Sequence, residues 1–142
     1  MARDMTTEEW HAFVCEGTRT GKLATTRADG RPHVTPVWIV LEGDDVVLTT
    51  GSDSVKAKTI RHEPRVSLVV DDQAPPYSYV MVEGVATLHD DLDEMLPIAI
   101  RIGARYMGVD RAEEFGRRNA VPGELLVRIR PSKVLAYADI SA

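Results

Sequence analysis

Apolar and polar residues change places along this chain with two periods, and the alternation is broken at intervals by Gly, Pro and Asp. Near the start, Trp10, Phe13 and Val14 recur at helical spacing. They follow Thr6-Thr7-Glu8-Glu9, which supplies a threonine N-cap and acids for a first turn. That helix ends near Gly17. Lys22–Arg27 then reads as a strand, Ala28-Asp29-Gly30 as a turn, and Arg31–Leu41 as the returning arm of a hairpin. Glu42-Gly43-Asp44-Asp45 turns the chain again into Val46–Thr50. A short helix over Val55–His62 stops before Pro64, which cannot continue it. Val66–Val70 is apolar and β-branched, as in a buried strand, and Asp71–Pro76 is a loop. Tyr77–Leu88 is a long strand with Tyr79, Met81 and Glu83 on one face and Val80, Val82 and Gly84 on the other. Gly84 marks a bulge.

Between Asp91 and Met107 the period becomes helical, with Leu92, Met95, Leu96, Ala99, Ile102 and Tyr106 on the buried side. Pro97 fits either the first turn of a helix starting near Leu96 or a kink in a longer one, and the first reading is preferred. Arg111–Asn119 reads as another short helix. Glu124–Arg130 alternates as a half-exposed strand, Pro131-Ser132 is a turn, and Lys133–Ala138 is the last strand. Successive hairpins with few crossovers predict a mainly β fold: an antiparallel split barrel of six to seven strands with a few flanking helices.

Composition narrows the function classes. The 142 residues, 44% hydrophobic and 27% charged, fit one globular domain spanning 1–142. A net charge of −5 argues against nucleic acid as the partner. No apolar run is long enough for a transmembrane helix, and MARDMTTEEW lacks a signal-peptide core, so the expected home is the cytoplasm. Cys15 has no second cysteine to pair with and, among apolar neighbours, is expected to be a buried structural thiol. His11, His33, His62 and His89 show no metal-ligand spacing, so no metal site is expected. Nucleophile elbows, Walker loops and Gly-x-Gly-x-x-Gly turns are lacking, and no side chain is singled out as catalytic.

Against that acidic background, one basic segment needs an explanation: Ser54-Val55-Lys56-Ala57-Lys58-Thr59-Ile60-Arg61-His62, entered from a strand through Thr49-Thr50-Gly51. A strand running into a helix N-terminus offers free N–H groups and a favourable dipole to a phosphate, with Ser54, Lys56 and Thr50 as contacts. The alternative is an ordinary solvated helix face. At about 100° per residue Lys56 and Lys58 point in nearly opposite directions, so Lys56 is the preferred phosphate contact and Lys58 a peripheral one. In Thr35-Pro36-Val37-Trp38 the proline removes a ladder donor, which suits an edge or bulge beside a flat heterocycle. Trp38 then reads either as a stacking wall or as a core or interface residue, and Tyr77 and Tyr79 are open in the same way.

Gly21-Lys22-Leu23-Ala24-Thr25, Asp29-Gly30-Arg31-Pro32-His33-Val34-Thr35-Pro36-Val37-Trp38, Leu48-Thr49-Thr50, the segment Ser54 to Ser67 and Val82-Glu83-Gly84 resemble, in order and spacing, the pyridoxamine 5'-phosphate oxidase-like family. The resemblance covers roughly Gly21–Leu88. It implies a split β-barrel that forms a homodimer and binds a flavin or deazaflavin between subunits. The arginine-rich C-terminal substrate motif of true pyridoxamine phosphate oxidases is missing from Val134-Leu135-Ala136-Tyr137-Ala138, and the chain looks more like the actinobacterial branch that uses coenzyme F420. On that resemblance Ser54 and Lys56, with Ala57 beside them, hold the cofactor phosphate. Thr35, Pro36, Val37, Trp38, Leu48, Thr49 and Thr50 lie against the ring, Lys58 and Arg61 meet the acidic tail, and Tyr79 adds a further contact. The implied function is an oxidoreductase passing hydride from reduced F420 to a small-molecule substrate. An FMN-dependent oxidoreductase of the same fold, or a non-catalytic flavin or deazaflavin carrier, is the alternative. His33, Tyr77, Tyr79 and Met107 are candidate substrate walls.

Overall fold

Period-two alternation decides which side of each strand is buried. In β2 (Gly21–Thr26) Leu23 and Thr25 are buried while Lys22, Ala24 and Thr26 are not. The same alternation runs through β3 (Pro32–Val37), β6 (Arg65–Asp72) and β7 (Ser78–His89), whereas β5 (Asp45–Gly51) is buried on both faces at Val46, Val47 and Leu48. A computed structural model of the protein describes residues 2–142. With β4 at Val40–Glu42 and β8 at Glu124–Ala138, it shows one antiparallel sheet of eight strands in the order β3-β2-β6-β7-β8-β5-β4, and β1 (Arg3–Asp4) pairs on β8. Inward residues from β2 to β8, including Leu23, Leu48, Leu68, Val82 and Ile129, meet in one core with Trp10 and Val14 of α1 (Thr7–Cys15) and Ile60 of α2 (Val55–His62). The sheet therefore wraps round its own apolar face without closing, and β3 and β4 (Val40–Glu42) remain its two edges. The expected mainly β class holds.

A second, smaller core lies on the opposite face of β5. Val47 and Leu126 pack there with Val40 under Met95, Ile98 and Ile102 of α3 (Leu92–Met107). α4 (Ala112–Asn119), entered through a 3₁₀ turn at Val109–Arg111, crosses α3 closely. Glycines allow it: a Cβ at Gly116 would come 2.9 Å from the backbone of Ile100, and one at Gly103 would come 2.9 Å from the carbonyl oxygen of Ala112. Among the described residues no helix is long and apolar enough to cross a membrane.

Several expected boundaries move, each for a local reason. Arg31–Leu41 is two strands, because Ile39 gives its backbone to α3 instead of to a neighbour. Tyr106 Oη accepts from Ile39 N at 3.1 Å, and Arg105 donates to Ile39 O at 2.8 Å. Glu124–Arg130 and Lys133–Ala138 are one strand, β8 (Glu124–Ala138), because Pro131-Ser132 is a bulge and not a turn. Glu83 faces Lys133 while Gly84 faces Pro131, which leaves Ser132 as the extra residue. The glycine expected at a bulge is therefore there, on the partner strand. A Cβ on Gly84 would lie 2.4 Å from the Arg130 carbonyl oxygen. Pro97 sits inside α3, which starts at Leu92 with Asp91 as its cap, so the preferred start near Leu96 was too late. Tyr77 precedes β7 in the left-handed region at φ 59°. Cys15 is exposed, because α1 buries Trp10, Phe13 and Val14 on one side and the next residue turns away from it.

Candidate functional site

The turn from β5 into α2 is held by side chains that the chain supplies locally. Ser54 is the N-cap of α2: its Oγ accepts from Ala57 N at 3.0 Å and from Thr50 Oγ1 at 2.9 Å. With both of those bonds accepted, the Ser54 hydroxyl hydrogen remains free to donate. The amides of Val55 and Lys56, the first two of the helix, have no protein acceptor among the described residues. Lys56, half-buried, has no ion pair among them either. Replacing Ser54 by alanine removes the cap and is expected to lower thermal stability by about 1 kcal/mol, read as a fall in the urea midpoint.

Beside this turn lies a cavity of about 290 Å³, where β3, β5, β8, α2, α3 and α4 converge. Pro36, Val37 and Trp38 wall one side, Thr49 and Thr50 the end of β5, and Lys56 enters from α2. Residues separated by twenty positions in sequence and expected at one cofactor site thus line one space. Trp38, 39% exposed, stacks on Tyr106 with ring centroids 5.0 Å apart and planes 7° from parallel, and Phe115 tilts against it from α4. Tyr106 is fixed in turn. Its hydroxyl donates to Arg19 O at 2.8 Å, and its burial raises the phenol's pKa. The indole therefore stands as a braced plane at the cavity wall, which fits a ring-stacking role better than a core one.

The remaining expected residues lie outside that lining. Thr35 is next to it on β3, and its buried Oγ1 has no hydrogen-bond partner among the described residues. Leu48 is fully buried in the main core, one residue before the lining begins. Ala57 is buried and its amide is taken by Ser54. Lys58 is exposed, and Arg61 donates to Ser52 O at 3.0 Å. Tyr79 lies at the far end of the sheet, its ring 5.7 Å from that of Tyr137. His33, Tyr77 and Met107 do not line the cavity. A larger cleft of about 500 Å³ lies over the outer face of β2, β6, β7 and β8, between Arg65, Ser67, Glu83 and Val85. None of the expected cofactor residues lines it.

Three lining residues escaped the sequence reading: Ile102 on α3, Asn119 at the end of α4 and Glu124 at the start of β8. Glu124 Oε2 lies 3.4 Å from where a Cβ at Gly51 would stand, so the glycine leaves the carboxyl room against the end of β5. Burial raises the pKa of this carboxyl. Only the register Gly51↔Glu124 brings it beside Thr50, and no local pattern in Pro122-Gly123-Glu124 announces that pairing.

The residues present fit a phosphate-bearing planar cofactor. Lys56, with no ion pair among the described residues, lines the same cavity as the braced indole; Ser54, Val55 and Thr35 lie outside that lining, Ser54 and Val55 in the adjoining turn and Thr35 next to Pro36 on β3. Among the described residues no cluster of His, Cys, Asp and Glu could hold a metal ion.

Known proteins share this fold. A conserved hypothetical protein, Rv2991, from Mycobacterium tuberculosis matches 96% of the chain over 87% of its own length, with 28% identity and a TM-score of 0.85. A protein solved as an F420 reductase matches 87% of the chain over 94% of its own length, at 25% identity and a TM-score of 0.68. The heme storage protein HutZ from Vibrio cholerae, 17% identical, covers 96% of the chain over 98% of its own length with a TM-score of 0.74, and so shares the fold. The family profile described as pyridoxamine 5'-phosphate oxidase matches residues 6–138, nearly the whole sheet and both helical layers. The chain belongs to the pyridoxamine 5'-phosphate oxidase family.

Proposed function

We propose that the protein is an oxidoreductase that binds coenzyme F420 and transfers hydride from it to a small organic acceptor. The observation that carries the reading is Lys56, an ammonium with no ion pair among the described residues, in the same cavity as the Pro36–Trp38 wall. In this reading Lys56, the Ser54 hydroxyl and the Val55 and Lys56 amides hold the cofactor phosphate, and Thr35 with Pro36, Val37, Trp38, Thr49 and Thr50 holds the ring. When bound, the reduced cofactor supplies the hydride. The protein's own part is to orient the ring against Trp38, keep its phosphate at the helix N-terminus and exclude water with Val37 and Ile102.

FMN, with the same kind of phosphate and ring, is the second reading. F420 is favoured by the F420 reductase relative and by Lys58 and Arg61, cations on α2 beyond the phosphate seat that suit an acidic tail. The outer face of β7, with Tyr79, Met81, Glu83 and the 44%-exposed Val85, supports a homodimer that completes the cofactor site and brings Tyr79 into the subunit contact. Parallel fluorescence titrations with F420 and FMN, with gel filtration of the loaded protein and a screen of acceptors with reduced F420, test the reading. The expected results are a dimer, tighter binding of F420 and oxidation of the reduced cofactor by at least one acceptor. Binding of neither cofactor overturns the reading. Tight FMN with no F420 binding moves it to the second one. Binding without turnover of any acceptor makes the protein a carrier.

A further inference from the structure

The cavity contains one group that cofactor binding does not use. Of its lining residues only Lys56 and Glu124 titrate, and Lys56 is committed to phosphate. Glu124 has no hydrogen-bond or ion-pair partner for its carboxyl among the described residues, which is unusual for a half-buried carboxyl and leaves both oxygens available. The elements around it are nearly uncharged. β5 presents Thr49 and Thr50, β3 Pro36, Val37 and Trp38, α3 Ile102 and α4 Asn119, with Lys56 of α2 as the one neighbouring charge in the lining.

Resting on the flavin-type reading above, we propose that Glu124 is a catalytic residue of this cavity: the carboxyl that holds and delivers the proton when an acceptor with a polarised double bond is reduced there. The acceptor carbon gains hydride from the reduced cofactor. The electron pair of the double bond moves to the adjacent atom, and that atom takes the proton from Glu124 Oε2. The acceptor gains two electrons and two hydrogens in total, the cofactor loses two electrons, and the carboxylate left behind is reprotonated from solvent at the open cavity mouth. Burial raises the pKa of this carboxyl from its ordinary value, which favours the protonated form that donates. Asn119 is placed to donate a hydrogen bond to the acceptor, a role open to an amide that does not titrate.

The test uses the full chain, wild type and Glu124→Gln, with Glu124→Asp as the conservative variant. Side-chain ¹³C NMR of the unloaded wild-type protein reads the titration of Glu124 directly and needs neither cofactor nor turnover. Titration with F420 and FMN reads cofactor affinity, and single-turnover reduction of an acceptor reads the proton step against pH. The expected results are a Glu124 midpoint above about 4.3, the ordinary glutamate value, and an affinity within twofold of wild type for Glu124→Gln. Its single-turnover rate is expected to fall by about a hundredfold and become independent of pH, while the wild-type rate falls as pH rises through the measured midpoint, with partial recovery in Glu124→Asp. An ordinary midpoint, or an unchanged rate in Glu124→Gln, overturns the proposal while leaving the cofactor reading intact. Failure of the wild type to bind either cofactor overturns both. If Glu124→Gln does not fold, the wild-type NMR midpoint and pH profile decide, since they must coincide.

Discussion

Lys56→Ala is expected to weaken cofactor binding by about 1.5–3 kcal/mol, roughly ten- to 150-fold in Kd, with the fold untouched. The size follows from what the side chain meets. Lys56 makes no ion pair among the described residues, so the apo protein loses only the packing of a half-buried stem when it is cut back, and alanine is the better helix former. A bound phosphate, by contrast, loses its one ammonium and keeps only the amides of Val55 and Lys56 and the Ser54 hydroxyl. Fluorescence titration checks the affinity and a thermal melt checks the fold. Because the lost contact is charge-assisted, wild type should bind less tightly as salt rises, and the variant should show a shallower dependence. Lys58→Ala serves as the contrast: it should leave FMN binding unchanged and affect only the cofactor with an acidic tail. Equal affinity of wild type and Lys56→Ala for both cofactors would remove the phosphate seat altogether.

How much of this was legible beforehand depends on the range over which each feature is determined. The core strands were legible because their alternation is local. Leu23 and Thr25, or Val80 and Val82, state their own facing within a few residues. The β5–α2 turn was legible for the same reason, with threonines, a serine cap and lysines inside one short stretch. Helical geometry alone separates Lys56 from Lys58: the first lines the cavity and the second is exposed. What could not be read is set by partners distant in sequence. Pro131 looks like a strand end until Gly84 is placed opposite it, where the missing Cβ makes room for a bulge. Ile39 looks like strand until Arg105 and Tyr106, more than sixty residues later, take its backbone groups. Cys15 reads as buried from its apolar neighbours in sequence, whereas those neighbours face the core and it does not. Glu124, the cavity's carboxyl, follows a Pro-Gly turn of the commonest kind and acquires its meaning only through the pairing of β8 with β5.

Arg105→Met is expected to carry the largest cost to the folded state, about 3 kcal/mol, and to loosen the cofactor site at the same time. One guanidinium ties three segments together. It donates to Gly17 O at 2.9 Å and Ile39 O at 2.8 Å, and also to Val14 O, so the C-terminal end of α1, the break between β3 and β4, and α3 share one donor. Methionine keeps much of the aliphatic stem and removes all five N–H groups, leaving the part-buried carbonyls of Val14 and Ile39 without that donor. Ile39 O keeps a longer bond from Tyr106 Oη at 3.3 Å, so the loss falls mainly on Val14 O, and leaving a part-buried carbonyl without its donor costs more than an ordinary hydrogen bond contributes, which sets the expected size. Ile39 follows Trp38 directly, and Trp38 stacks on the residue after Arg105, so freeing this backbone also frees the indole plane that walls the cavity. Urea unfolding should show a lower midpoint with an unchanged slope, and tryptophan fluorescence should shift as Trp38 gains freedom. Cofactor affinity should then fall even though Arg105 does not line the cavity. Tyr106→Phe separates the two effects. It keeps the ring under Trp38 and removes the hydroxyl that accepts from Ile39 N and donates to Arg19 O, so it should cost less stability and leave the stacked wall in place. If Arg105→Met lost stability with no change in cofactor affinity, the helical layer would be only a support for the sheet. A fall in both ties the site's geometry to the insert that packs α3 against β5.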